Sequence, residues 1–293
     1  MGPAHTLSDS VIPRHNARVR TLKQTVALAG FLVLVAAQVA ATQSAPPLTP
    51  ELQREFLLTA KITDARPIGK GVTGALRLTM SDGTLTHDAA FQPIEMRATA
   101  EDIRLGRKRA GEVQFADSYM YNIAAYELAK LLALDHMMPV TVERRHRGQI
   151  GSLTWWIDDV LMDEFERETK KIQPPNALAF VRERQNMLVF AELVRDVDRN
   201  KGNVIYTKDW RVIMLDFSRG FRLQPEIRNT EFLQQCDRKL YERLQTLTRE
   251  EIERAVKNYL NGGEISAVVA RRQLIVDHFA RRIKEKGEAA VLY

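Results

Sequence analysis

A chain of 293 residues is long enough for one large core or for two lobes that share a cleft. With 45% hydrophobic and 27% charged residues its make-up is that of an ordinary globular protein, and its single cysteine, Cys236, excludes an internal disulfide framework and a multi-cysteine metal site. The net charge of +6 is spread over Arg18, Arg20, Arg107, Lys108, Arg144, Arg145, Arg271 and Arg272 among others, so no compact nucleic-acid patch stands out.

The chain opens with Arg14, Arg18, Arg20 and Lys23 ahead of the uncharged apolar run TVALAGFLVLVAAQVAA, residues 25–41, and then turns polar and Pro-rich. Basic segment, apolar core and small-residue exit form a signal-peptide pattern, with Val39-Ala40-Ala41 or Ala45 at the exit. Residues 1–45 are therefore expected to be a signal peptide or an N-terminal membrane anchor. Either way the segment contacts the membrane and sends the body to an extracytoplasmic location, periplasmic or secreted.

Next, LTPELQREFLLTA predicts a short helix with Thr49 as its N-cap and Pro50 in its first turn. Alternation over 75–80 and 84–92 around Ser81-Asp82-Gly83 predicts an antiparallel hairpin, and IGKGVTG, with Gly69, Gly71 and Gly74, lies between two strands. Residues 97–113 are polar and charged and read as a surface insertion. From Asp117, helical spacing of Tyr121, Ala124, Ala125, Leu128, Leu131 and Leu132 predicts a helix capped by an Asp or Ser. Two strands come next, MPVTVERR and IGSLTWWIDD, turning near Gly148.

The second half is mostly helical. A long apolar helix starts at Asn176, two short strands are expected over 203–206 and 211–215, and a Thr248…Glu251 capping box opens a helix for which Gly262 is the exit signal. ISAVVARRQLIVDHFARRIKEKG makes a final helix. The fold class is thus α+β: an N-lobe over 46–158, a small antiparallel sheet with one key helix, and a mainly helical C-lobe over 159–293.

The chemistry concentrates in VRDVDRNKGNVIYTKDWRVIMLDFSRGF. Asp198, Asn203 and Asp216 fall at the outer ends of the 203–215 hairpin, and antiparallel pairing brings such ends together. Two carboxylates and an amide are hard oxygen ligands that suit magnesium, which takes its remaining ligands from water and phosphate. Phosphoryl transfer needs the same layout, one Asp to position the acceptor hydroxyl and an Asn with a second Asp to hold metal. The local alternative is a pair of turn aspartates and a capping asparagine satisfied by nearby backbone. A metal-dependent hydrolase using Asp198, Asp216 and His87 is a further alternative, but no ligand spacing such as HExxH supports it.

This segment resembles the catalytic and metal-binding segments of the atypical protein-kinase-like fold shared by HipA-type kinases, phosphatidylinositol 3/4-kinases and the secretory-pathway casein kinase group. NIAAYELAKLLALDHMMPVTVERR is similar to the N-lobe helix and following strand of that group, so the resemblance spans roughly residues 62–222. It implies a two-lobed kinase-like fold, with ATP and Mg as cofactors and transfer of a phosphoryl or nucleotidyl group to a hydroxyl on a protein or small molecule. By position, Asp198 corresponds to the catalytic aspartate, Asn203 to a metal-side ligand and Asp216 to the principal metal ligand. IGKGVTG corresponds to the phosphate-covering loop, with Gly69, Lys70, Gly71 and Gly74 against the nucleotide. LTWWIDDV falls where the lobes join and adenine would lie.

One departure bears on activity. Where the group carries a strand lysine and a helix glutamate, this chain has Gln92 and Asn122. Losing both charges together avoids an unpaired buried charge, and an amide pair can still hold helix to sheet. It supplies no positive charge to phosphates. Glu127 is rotated well away on the helix. A catalytically weak or inactive pseudokinase, acting as a nucleotide-binding or scaffold module, is therefore the alternative to an active kinase.

Overall fold

Five antiparallel strands build the first lobe of the computed structural model, which describes residues 48–69, 74–97, 104 and 116–293. All of these lie within one compact unit, Pro47–Tyr293. Helix α1 (Pro50–Thr59) starts as its sequence dictates, with the Thr49 hydroxyl accepting the Leu52 N–H at 3.4 Å and Pro50 at a position that needs no donor. Strands β1 (Lys61–Pro67), β2 (Leu76–Ser81) and β3 (Thr86–Gln92) form a meander, and the predicted turn is tied by Asp82, which accepts the N–H groups of Thr84 and Leu85, each at 2.8 Å. A short β4 (Glu95–Arg97) pairs with β5 (Ala116–Ser118), which runs directly into α2 (Tyr119–Leu131). The cap of α2 is Ser118, whose Oγ accepts the Met120 N–H at 3.2 Å, so Asp117 is left for another task. Of the 97–113 insertion only Arg97 and Arg104 are described.

Strands β6 (Thr141–His146) and β7 (Gln149–Trp155) complete the sheet in the order β1-β2-β3-β7-β6. Alternate residues Leu78 and Met80 of β2, Ala89 and Phe91 of β3 and Leu153 of β7 are buried in one core that includes the buried side of α2. At β7 the strands approach so closely that a Cβ on Gly151 would meet the Gln92 carbonyl oxygen at 2.6 Å; only glycine fits there.

The second lobe departs from expectation at its start. The 203–215 hairpin, β9 (Val204–Thr207) and β10 (Val212–Met214), has a third strand, β8 (Val160–Asp163), paired along β9. A one-and-a-half-turn α3 (Glu164–Thr169) comes next, capped by Asp163, and then α4 (Ala177–Leu193), capped by Asn176. Beyond the hairpin come α5 (Arg238–Thr246) and α6 (Arg249–Val256), the latter opened by the predicted Thr248–Glu251 capping box. Gly262 does not end that helix, which stops at Val256. It opens α7 (Gly262–Lys286), because Asn261 accepts the Glu264 N–H at 3.0 Å while the Glu264 carboxylate accepts the Asn261 N–H at 2.8 Å, a second capping box.

The C-terminal helices are packing elements. Leu240, Leu244, Ile252, Val256, Ile265, Val268, Ile275 and Phe279 are buried in the shared core, each worth about 1.5–3 kcal/mol on burial. Arg271, fully buried, donates to the carbonyls of Leu193 (2.7 Å), Arg222 (2.8 Å) and Gln224 (2.7 Å), fixing the end of α4 and the segment after Phe221. After α8 (Glu288–Val291) the chain end returns to Cys236, which donates its N–H to Val291 at 2.9 Å and bridges to Leu292. The Tyr293 hydroxyl donates to the Arg182 carbonyl at 2.7 Å. Among the described residues no helix is long and apolar enough to cross a membrane, and the 25–41 run lies outside them.

Candidate active site

Helix α4 delivers the chain into the loop 196–203, where an arginine, Arg199, ties the loop to the hairpin. Asp196, its carboxylate fully buried, accepts the Asp198 N–H at 3.0 Å and the Arg199 Nε at 2.7 Å. The Arg199 guanidinium then donates to the carbonyls of Asn203 (2.8 Å), Leu215 (2.5 Å) and Asp216 (3.2 Å) and lies over the Phe217 ring at 4.1 Å. With the Leu215 N–H on the Asn203 carbonyl at 2.9 Å, these bonds hold the start of β9 against the end of β10.

The three sequence-predicted side chains stand around this clip. Asn203 donates its NH2 to the Asp198 carbonyl at 3.0 Å. Asp216 has φ +50°, a left-handed backbone that Asp tolerates better than most residues, and is solvent-exposed; one carboxylate oxygen accepts the Ser218 N–H at 3.2 Å. These are the bonds of the local turn-and-cap reading, and they use only part of each group. Among the described residues the second oxygen of Asp216 and the side-chain carbonyl of Asn203 have no hydrogen-bond partner. Asp198 keeps 37% of its side chain exposed.

A residue that sequence spacing does not single out completes the group. Arg219 donates from Nε to Asp117 at 3.0 Å and from Nη1 approaches the Asp198 carboxylate at 3.2 Å. Its hydrogen bond to Asp117, aided by the fields of Asp117, Asp198 and Asp216 and opposed by burial, raises its pKa further. Asp117 is 1% exposed, and its other oxygen is buried without a partner. Neither Arg199 nor Arg219 gives a periodic signal; the local hint is an arginine directly after each acidic motif, DVDR and DFSR.

Helix α2 joins this group to the sheet through Asn122. Its NH2 donates to Gln92 Oε1 at 2.7 Å and to Ser152 Oγ at 3.3 Å, and its carbonyl accepts the Phe217 N–H at 2.6 Å. The Ser118 N–H donates to the Ser218 carbonyl at 2.8 Å beside it. The expected Gln–Asn contact is therefore made, and an amide suits the place because it donates and accepts at once. Glu127 is turned away, paired with Arg54 at 3.5 Å and Lys130 at 2.6 Å. His87 is bound to Asp158 at 2.8 Å and stacked on Trp155 at 3.7 Å, so it serves the sheet. Arg77 covers Trp156 at 4.0 Å.

The residues that flank the glycine segment are joined, with the Ile68 N–H on the Ala75 carbonyl at 2.9 Å. Gly69 is exposed and Gly74 has φ +65°; Lys70 and Gly71 lie outside the described residues. Among the described residues no three His, Cys, Asp or Glu side chains form a complete metal cage. A set of two carboxylates and an amide, with acceptor oxygens to spare, fits magnesium in the form that borrows phosphate and water ligands.

Comparison with protein-family models and with curated proteins gives no match. Many solved structures are similar in shape, two of them as follows. One is a Fam20 protein of hydra, solved with a sugar: TM-score 0.60, 17% identity, covering 82% of this chain and 90% of that one. The other is CtkA, a proinflammatory kinase of Helicobacter pylori: TM-score 0.49, 8% identity, covering 78% and 98%. The fold of this chain is accordingly the two-lobed atypical-kinase-like α+β fold.

Proposed function

We propose that this atypical-kinase-like chain is an exported protein that binds ATP with Mg2+ and transfers a phosphoryl or nucleotidyl group to a hydroxyl acceptor. The observation that carries the reading is the Arg199 clip, which holds Asn203 beside Leu215 and Asp216 and leaves oxygen acceptors exposed. Asn203 and Asp216 would hold the metal, whose contribution is to neutralise phosphate charge. Asp198 orients the acceptor hydroxyl and receives its proton. The segment holding Gly69, Lys70, Gly71 and Gly74 would lie over the phosphates, and the N-terminal segment, cleaved or kept as an anchor, would place the body outside the cytoplasm. The Gln92–Asn122 pair favours a second reading, a pseudokinase that binds nucleotide or scaffolds without turnover, because Gln92 contributes no cation.

Thermal unfolding of the body from about residue 46 tests binding. ATP and Mg2+ together are expected to raise Tm, with little effect from either alone and none in Asp216→Ala; no shift at millimolar ligand overturns nucleotide binding. Transfer of labelled phosphate by wild type against Asp198→Ala separates the two readings. Loss of signal in the variant supports the enzyme, and equal signal removes Asp198 from the catalytic role.

A further inference from the structure

Gln92 leaves a physical deficit. If the nucleotide reading holds, on which this inference rests, phosphates arriving with magnesium still carry net negative charge, and the neutral Gln92–Asn122 contact offsets none of it. Arg199 cannot do so either: its fork is consumed by Asp196 and by the carbonyls of Asn203, Leu215 and Asp216, and 11% of its side chain is exposed. Arg219 is placed differently. It is 34% exposed, it lies three residues after Asp216, and its guanidinium is already 3.2 Å from the carboxylate of Asp198.

We infer that Arg219 is the phosphate-binding cation of this site, supplying from the loop after Asp216 the positive charge that the sheet lacks at Gln92. Asp117 makes this possible. A carboxylate that is 1% exposed is costly unless paired, and Arg219 Nε at 3.0 Å is its partner. That bond fixes the plane of the guanidinium, and Nη1 lies 3.2 Å from the Asp198 carboxylate as an ion pair. The Ser118–Ser218 backbone bond keeps the two segments in register. Asp198 is the carboxylate paired with Nη1. A phosphate oxygen competes for the same nitrogen in the geometry that a planar fork recognises best, while Nε stays on Asp117. The exchange also releases Asp198 to meet an acceptor hydroxyl only when phosphate is present. No covalent bond changes in this step; an ion pair with phosphate replaces the one with Asp198.

Calorimetric titration with ATP–Mg2+, ADP–Mg2+ and adenosine separates the possibilities. Arg219→Gln is expected to weaken ATP–Mg2+ by about tenfold or more and leave adenosine unchanged, with Arg219→Lys recovering part of the loss. Because Arg219→Gln strands a buried Asp117, the Asp117→Asn/Arg219→Gln double variant removes both charges and is expected to fold and to show the same selective loss. Unchanged ATP–Mg2+ affinity in the double variant overturns the assignment, as does an equal loss for adenosine, which would mark a purely structural arginine. Failure of wild type to bind ATP–Mg2+ at all overturns the nucleotide reading itself, a different result from either of these.

Discussion

Asn122 shows why a neutral residue can replace an acid at the centre of such a fold. A glutamate can pair with a lysine and accept the Phe217 N–H, but it cannot donate; the amide gives one hydrogen to Gln92 and takes another from Phe217. Charge at either member alone is then the disruptive change. Gln92→Lys is expected to lower stability by placing an ammonium against the Asn122 NH2, and Asn122→Glu in addition to restore it. A double-mutant cycle in denaturant should give a coupling of about 0.5–3 kcal/mol, and additive losses would refute the pairing. At this scale the sequence is informative where two departures coincide, Gln92 with Asn122. It assigns no role to Arg199, Arg219 or Asp117 beyond a local hint, because those roles depend on distant carbonyls and carboxylates that no spacing rule reveals.

Elements of strong period are legible and short ones are not. Helix α2 obeys its apolar spacing and its Ser118 cap, and the β2–β3 hairpin obeys its Asp82 turn; α4 starts where expected, at Asn176, but buries only its second half, from Met187 on. β8 has four residues, half of them exposed, so nothing in its pattern distinguishes it from the turn before it. Gly262 misleads because glycine serves both ends of helices, and Asn261 with Glu264 decides which. What anchors β8 and α3 is Glu164, buried at the junction of three elements. It accepts Arg167 at 2.5 Å, Arg184 of α4 at 2.5 Å and the Tyr206 hydroxyl of β9 at 2.7 Å. Burial pushes its carboxyl upward, but the bonds from Arg167, Tyr206 and Arg184 outweigh this and hold its pKa at about 2. A depressed folded pKa means stability that is present above the ordinary glutamate value and lost as pH falls toward 2. In urea titrations between about pH 5 and about pH 2.5 the wild type is expected to lose stability steadily and Glu164→Gln to lose less, so that the two converge in acid. Parallel curves would show that Glu164 is not the linked group.

For the molecule as a whole, the order of motifs is enough to anticipate two lobes, because a sheet with one helix and then a hairpin between helices leaves few ways to bury both halves. How the last helices close the C-lobe is not foreseeable, since Arg271 and the returning chain end act through backbone carbonyls. That return has a practical effect. The lone thiol of the chain sits at Cys236, fully buried, its pKa pushed up by burial and by Asp237, beneath Val291 and Leu292. Thiolate, the form that reacts, appears only when the lid of terminal residues lifts. Alkylation of native protein is expected to be slow and to accelerate sharply when residues 288–293 are removed, tracked by mass spectrometry; equal rates would mean the lid contributes nothing. Without any introduced label, then, this protein carries its own stopwatch for the opening of its larger lobe.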